Sequence, residues 1–257
     1  MRWIGEPFGH DGQSLAWQKP GAFDVAPLLP ANTRVLAALT LPPLCAVTNA
    51  GDIGDDEFLV RAERALRGGL HLIQLREKDL SARELETLAR EIGALRAGNK
   101  KTKPALLVNS RTDIALACDA NGVHLRSHDI SPAEVRKIWT KSGAGALARV
   151  TVGVSCHSPA EVAAAAAQGA DFAVLGPIFE KIAAPGTRPA GLDALRLASR
   201  EKIPVLALGG ITVQNAGACM QAGAAGIAGI RLFQENEMGR VVGQLRGPTS
   251  EGRSVTW

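Results

Sequence analysis

Eight short apolar runs, each followed by a longer stretch with helical spacing, constrain this chain more than any other feature of its sequence. The runs are Leu44–Thr48, His71–Arg76, Ala105–Asn109, Gly122–Leu125, Thr151–Ser155, Phe172–Leu175, Val205–Leu208 and Gly226–Ile230. They show no apolar/polar alternation, the mark of strands buried on both faces and paired in parallel. Helix patterns follow at Glu57–Leu66, Ala82–Leu95, Thr112–Ala117, Pro132–Trp139, Pro159–Ala167, Leu192–Ser199 and Asn215–Gln221. Ser81 and Ser131 stand where N-caps belong, and Gly68 and Gly169 where a helix end asks for a left-handed residue. This order predicts an α/β fold, a (β/α)8 TIM barrel that is short for its class. An open doubly wound sheet is the rival, but it would carry a Gly-rich fingerprint after its first strand. Thr48-Asn49-Ala50-Gly51-Asp52 carries a single Gly there.

The barrel is expected over residues 42–240, with an extension at 1–41 and a tail at 241–257. The extension is rich in Gly and Pro and lacks sustained periodicity. It is expected to be poorly ordered, except where Trp3, Trp17 or Phe23 finds a groove. Three segments echo one another: Asp119-Ala120-Asn121-Gly122-Val123, Gly169-Ala170-Asp171-Phe172-Ala173 and Gly223-Ala224-Ala225-Gly226-Ile227. Each joins a helix to a strand, so they read as the turns at the barrel bottom and as architecture.

Composition excludes several classes. Lys and Arg number 29 against 25 Asp and Glu, and a formal charge of +4 over this length is no nucleic-acid footprint. Aromatic residues are 4% and Tyr is absent, which disfavours an aromatic-rich sandwich. Cys45, Cys118, Cys156 and Cys219 lie far apart without CxxC, so neither a zinc ribbon nor a disulfide scaffold fits. The longest apolar run, Val35–Leu44, is broken by Pro42 and Pro43 and falls short of a membrane span. No secretory signal is apparent, so a cytoplasmic protein without membrane or nucleic-acid partners is expected. A homo-oligomer is compatible with these features.

Chemistry in such a barrel sits at the C-terminal ends of the strands. Strand two ends Gln74-Leu75-Arg76-Glu77-Lys78, and alternation puts Gln74, Arg76 and Lys78 on one face. Basic groups turned into a barrel mouth need an anion to meet them. A surface strip pairing them with Glu77 and Asp79 is the bland alternative. Gly209-Gly210 after strand seven lets a backbone approach a ligand, at a place where barrels hold phosphate. His157, just past strand five, is a candidate acid or base, or a solvated or capping residue. His124 lies within a strand and reads as a core histidine. Asp129 reads either as a Mg²⁺ ligand beside a polyphosphate or as an N-cap-like acid before Ile130-Ser131-Pro132; with His128 it could also form part of a metal site.

The segments QLREKDLSARE, LVNSRTDIALACDANGVHL, VGVSCHSPAEV, DFAVLGPIF, IPVLALGGIT with Asn215, and AGAAGIAGI occur in this order. Together they resemble the thiamine phosphate synthase/TenI family over Leu44–Phe233. The resemblance implies a transferase that joins hydroxymethylpyrimidine diphosphate to a thiazole phosphate or its carboxylate. Pyrophosphate leaves with help from Mg²⁺ and basic groups. It implies that Gln74, Arg76, Lys78 and Asn109 bind diphosphate, and that Asp129 is a metal ligand. Ser155, Gly209 and Gly210 would then lie near the thiazole phosphate. Arg76 and Lys78 carry the catalytic electrostatics, with His157 beside them.

Several positions depart from the family pattern. Asn109-Ser110 stands for an Asn-Asp pair, so one metal ligand is missing. Arg126-Ser127 stands for Gly-Gln, and Arg231 for a small Ser. Lys181 and Thr187 substitute for a Thr-x-Thr-Lys loop in binding substrate. The TenI branch, a thiazole tautomerase that needs no metal and uses a His at the position of His157, is the alternative activity. A non-catalytic barrel that binds thiazole phosphate is a third.

Overall fold

The computed structural model describes residues 8–18, 32–99, 104–143, 150–180, 186–234 and 241. Eight parallel strands close into one barrel in sequence order, β8 pairing back onto β1. They are β1 Leu44–Val47, β2 Leu72–Leu75, β3 Ala105–Asn109, β4 Gly122–Leu125, β5 Thr151–Cys156, β6 Phe172–Leu175, β7 Val205–Leu208 and β8 Gly226–Gly229. Helices α2 Asp55–Arg67, α3 Ala82–Gly98, α4 Thr112–Ala117, α5 Pro132–Lys141, α6 Pro159–Ala167, α7 Gly191–Ala198 and α8 Ala216–Gln221 alternate with them. A four-residue α9, Arg231–Gln234, follows β8. The (β/α)8 expectation holds, and every strand falls within a residue of its expected bounds.

Strand alternation divides the apolar residues into two sets. Cys45, Leu72, Leu107, Phe172, Val174, Leu206 and Ala228 fill the barrel interior. Their strand neighbours, among them Ile73, Val108, Val123, Val152, Leu175 and Ile227, belong to the core between strands and helices. Both faces of each strand are therefore apolar, which is why the runs show no polar alternation.

Helix ends follow their local chemistry. Ser81 makes a reciprocal cap with Glu84: Glu84 Oε2 accepts from Ser81 N–H at 2.8 Å and the Ser81 hydroxyl accepts from Glu84 N–H. Ser131 and Ser158 cap α5 and α6 in the same sense, with Pro at the first helical position. Gly169 is left-handed as expected, at φ 85°. Gly68 is not: it remains right-handed, and Gly69 turns the chain at φ 100°.

The bottom turns share one construction. Leu70, Ala120, Ala170 and Ala224 each donate an N–H to the carbonyl five residues back, at 2.9–3.1 Å. The residue before each is left-handed: Gly69, Asp119, Gly169 and Gly223. The repeated motif is architecture, as its sequence suggested.

The segment before the barrel departs from expectation. A helix, α1, spans Thr33–Thr40. It lies within the apolar stretch that precedes Pro42 and Pro43. Leu41 follows it and packs against the interior cluster, beside β1. Trp17 is 82% exposed and sits in no groove. Trp3, Phe23 and the tail from residue 242 lie outside the described residues. No described helix is long and apolar enough to cross a membrane.

Candidate active site

The polar side chains of the barrel gather at the ends of β2 to β5. Gln74 is 4% exposed, and its side chain has no hydrogen bond to the described residues. Arg76 follows, its backbone N–H held by the Thr48 hydroxyl at 2.8 Å. Glu77 turns away: its carboxylate accepts from Ala50 N–H at 2.9 Å. Among the described residues neither Arg76 nor Lys78 forms an ion pair. The surface-strip alternative, in which Glu77 and Asp79 neutralise this strand end, therefore fails.

β4 and β5 contribute a buried pair. His124 Nε2 lies 2.9 Å from Ser155 Oγ. His124 Nδ1 is buried without a partner. An unmet lone pair is cheaper than an unmet N–H, so the proton belongs on Nε2 and the Ser155 hydroxyl accepts it. Ser155 keeps its own O–H to donate elsewhere. Burial, with the Arg76 charge adding to it, pushes His124 down to about 3 against an opposing pull from Asp129. His124 is thus a neutral core residue, as its position in a strand suggested. Phe172 stacks at a tilt against it, with centroids 5.9 Å apart.

A second network runs along the ends of β3 and β4. Asn109 Nδ2 donates to Ser110 Oγ at 3.1 Å, and Ser110 Oγ donates to Asp129 Oδ2 at 2.6 Å. Asp129 also accepts from the Arg126 backbone N–H at 2.8 Å, from its Nη2 at 3.0 Å and from its Nε at 3.2 Å. Burial tends to raise the Asp129 carboxyl. The hydrogen bonds from Ser110 and Arg126 outweigh it and hold the group below the usual carboxylate range. Ser110 sits at φ 60°, left-handed for a residue with a side chain, with its N–H on the His124 carbonyl at 2.9 Å. The N-cap alternative for Asp129 is excluded, because Ser131 caps α5.

His157 stands at the end of β5 with its ring tied to β6. Its Nδ1 lies 2.7 Å from the Gly176 carbonyl oxygen. A carbonyl only accepts, so Nδ1 carries the proton and Nε2 is left as a base. Its backbone N–H donates to Glu161 at 3.0 Å, which ties it to the α6 cap.

Gly209 and Gly210 are both left-handed, at φ 93° and 65°. A Cβ on Gly210 would stand 2.5 Å from the Glu180 carbonyl oxygen and 2.7 Å from Phe179 Cβ. What approaches Gly210 closely is therefore the chain after β6, a correction to the ligand-approach reading for this residue. Asn215 braces the loop, donating to the Gly210 carbonyl at 2.9 Å and accepting from Thr212 N–H at 2.8 Å. Arg231 opens α9 after β8 and is exposed, as is Thr187. Lys181 lies outside the described residues. Burial pushes the Cys45 and Cys156 thiols up to about 12, which removes them as nucleophiles.

Comparison with known proteins fits this geometry. The TMP-TENI family, described as thiamine monophosphate synthase, matches residues 44–233. The chain belongs to this family. It is 42% identical over 198 residues to a putative thiamine-phosphate synthase 2 of Aquifex aeolicus, covering 77% of this chain and all of that one. It is 41% identical over 198 residues to a thiamine-phosphate synthase of Chlorobium luteolum, covering 76% and 87%. Among solved structures it resembles thiamine phosphate pyrophosphorylase from Pyrococcus furiosus, with TM-score 0.66, 29% identity and coverage of 79% and 93%. As a member of this family it is a transferase of the thiamine phosphate synthase type.

The family implies Mg²⁺, and the donors at the mouth bear on that. Among the described residues no cluster of three or more His, Cys, Asp or Glu is placed to hold a metal. His128 adds no ligand to such a cluster. Asp129 is the one carboxylate of the β3–β4 network, and Arg126 and Ser110 already occupy it. Ser110 brings a hydroxyl where a second carboxylate would be needed. These residues do not fit a resident divalent cation. What sequence reasoning missed here is Arg126, which was legible only as a departure from a Gly.

Proposed function

We propose that the chain couples hydroxymethylpyrimidine diphosphate with thiazole phosphate or its carboxylate, giving thiamine phosphate and pyrophosphate. The observation that carries the reading is the end of β2: a buried Gln74 with Arg76 and Lys78 beside it, none engaged by an anion among the described residues. Cations turned toward a barrel mouth without partners are arranged for an anionic ligand. The C–O bond to the diphosphate breaks with its electron pair going to the diphosphate oxygen. Arg76 and Lys78 hold that growing charge. Gln74 and Asn109 orient the diphosphate by hydrogen bonds. The thiazole nitrogen then attacks the pyrimidine methylene carbon. The Ser155 hydroxyl, fixed by His124, donates toward the thiazole phosphate, with Gly209, Thr187 and Arg231 as further contacts around that phosphate. We assign the chain to the cytoplasm, which keeps four scattered thiols reduced.

The test is to incubate purified protein with both substrates and follow thiamine phosphate and pyrophosphate together. Equal amounts of the two support the reading; neither product contradicts it. One observation favours a second activity, thiazole tautomerisation. His157 has its Nδ1 proton committed to Gly176 and its Nε2 available as a base.

A further inference from the structure

The mouth between β3 and β4 offers a single carboxylate, Asp129, and Arg126 is already bonded to it. Arg126 follows β4 two residues after His124, so it shares the inward-facing register of that strand. β3 and β4 are neighbours, with Asn109 paired to His124. That sets Ser110, Asp129 and Arg126 side by side. Nε and Nη2 of Arg126 face Asp129, and Nη1 makes no hydrogen bond to the described residues. The side chain is 55% exposed, so the edge away from Asp129 is open to a ligand.

We infer that the Arg126 guanidinium, oriented by Asp129, takes the place of a divalent cation against the diphosphate oxygens. The inference rests on the synthase reading above. A guanidinium offers a planar fork of N–H groups that matches phosphate oxygens and is always charged. Asp129 then acts as a positioning residue: it fixes the fork, and Ser110 fixes Asp129. With Arg76 and Lys78 at the end of β2, on the far side of β3, three cations meet the diphosphate. When the C–O bond breaks, they stabilise the charge on the departing oxygen by hydrogen bonding alone, with no proton transfer required. Diphosphate binding in this chain is therefore independent of added metal.

The experiment measures inorganic pyrophosphate binding to the full-length protein by titration calorimetry, in EDTA and in excess Mg²⁺. The wild type is expected to bind in EDTA with an affinity comparable to that in Mg²⁺. Arg126→Ala is expected to weaken binding in EDTA by about tenfold or more, the usual worth of a charge-assisted hydrogen bond. The double variant Ser110→Asp with Arg126→Gly rebuilds a two-carboxylate site and is expected to bind pyrophosphate only when Mg²⁺ is present. Asp is also among the residues most tolerant of the left-handed backbone at position 110. Wild-type binding that requires Mg²⁺, or Arg126→Ala binding equal to wild type in EDTA, overturns the inference. The coupling reaction run in the same two buffers separates the two readings. Coupling in Mg²⁺ but not in EDTA overturns the arginine's role and leaves the synthase standing. No coupling in either buffer overturns the synthase reading itself.

Discussion

The two ends of the barrel treat their polar groups in opposite ways. At the bottom the turn side chains Asn121 and Asp171 are fully engaged. Asn121 Oδ1 accepts from Leu106 N–H at 2.9 Å and also from Arg96. Asp171 Oδ2 accepts from Val152 N–H at 2.7 Å and pairs with Arg136 at 2.8 Å. These side chains stitch one turn to the start of the preceding strand, two βα units apart in the same way. At the mouth the side chains of Gln74, Arg76 and Lys78 have no partner among the described residues. These turns are satisfied within the protein; the end of β2 is left to be satisfied by a ligand. Changes at the bottom should therefore alter stability and leave chemistry alone, and changes at the mouth the reverse.

The largest expected effect is at the bottom. A Cβ on Gly122 would lie 1.8 Å from the Thr151 carbonyl oxygen, a backbone atom that cannot move without breaking strand pairing. Gly122→Ala should cost about 3 kcal/mol of stability by overpacking. Urea unfolding measures it, and a loss under about 0.5 kcal/mol would show that the turn has more slack than its geometry allows. Next comes Asp171→Ala, which leaves Val152 N–H without its acceptor and removes the carboxylate partner of Arg136, whose bonds to the Gly169 and Val150 carbonyls remain. We expect about 2 kcal/mol of destabilisation with kcat/KM for coupling unchanged. A fall in kcat/KM without a fall in stability would erase the contrast between the two ends.

At the mouth the effects turn kinetic. His157→Asn should keep coupling within about tenfold of wild type, because leaving-group stabilisation rests on the cations, while it abolishes any thiazole isomerisation. Proton exchange at the thiazole carbon, followed by NMR in deuterated water, reads the second activity. A coupling loss of about a thousandfold with the fold intact would move His157 into the coupling chemistry.

A further effect, absent at neutral pH, is a pH dependence. His124 titrates near 3 in the folded barrel, below its ordinary 6.5. The unfolded chain thus binds the extra proton first as pH falls. The stabilisation from a neutral His124 is complete above about pH 6.5 and is lost progressively as pH drops toward 3. His124→Asn should flatten the stability profile across that window. An identical profile in the variant would mean that other groups set it.

The sequence exposed what depends on period and position. Strands buried on both faces, serine caps three residues before a glutamate, and the alternating face of Gln74, Arg76 and Lys78 are local patterns. The recurrent bottom turn was legible for the same reason. Helix α1 was not, because Thr33–Thr40 is a short run behind a Pro-rich stretch and no capping side chain marks its start. Gly68 and Gly69 are adjacent, and the sequence does not say which of two glycines turns left-handed. The Gly210 contact joins loops after β6 and β7, and the Ser110–Asp129–Arg126 network joins residues 19 and 16 positions apart. Such contacts are set by barrel closure, which no local pattern encodes. The family resemblance showed that positions 110 and 126 depart from the pattern, but only the fold showed that the two departures meet at one carboxylate.

The claim that the mouth is built for a diphosphate is tested most directly at Arg76. Arg76→Ala removes one charge-assisted clamp and leaves intact the backbone N–H bond to Thr48. Losing such a group in a desolvated site typically costs about 2–4 kcal/mol, or roughly 30- to 1000-fold in kcat/KM for coupling. We predict a loss in that range with urea stability unchanged. A variant with wild-type kcat/KM would contradict the account.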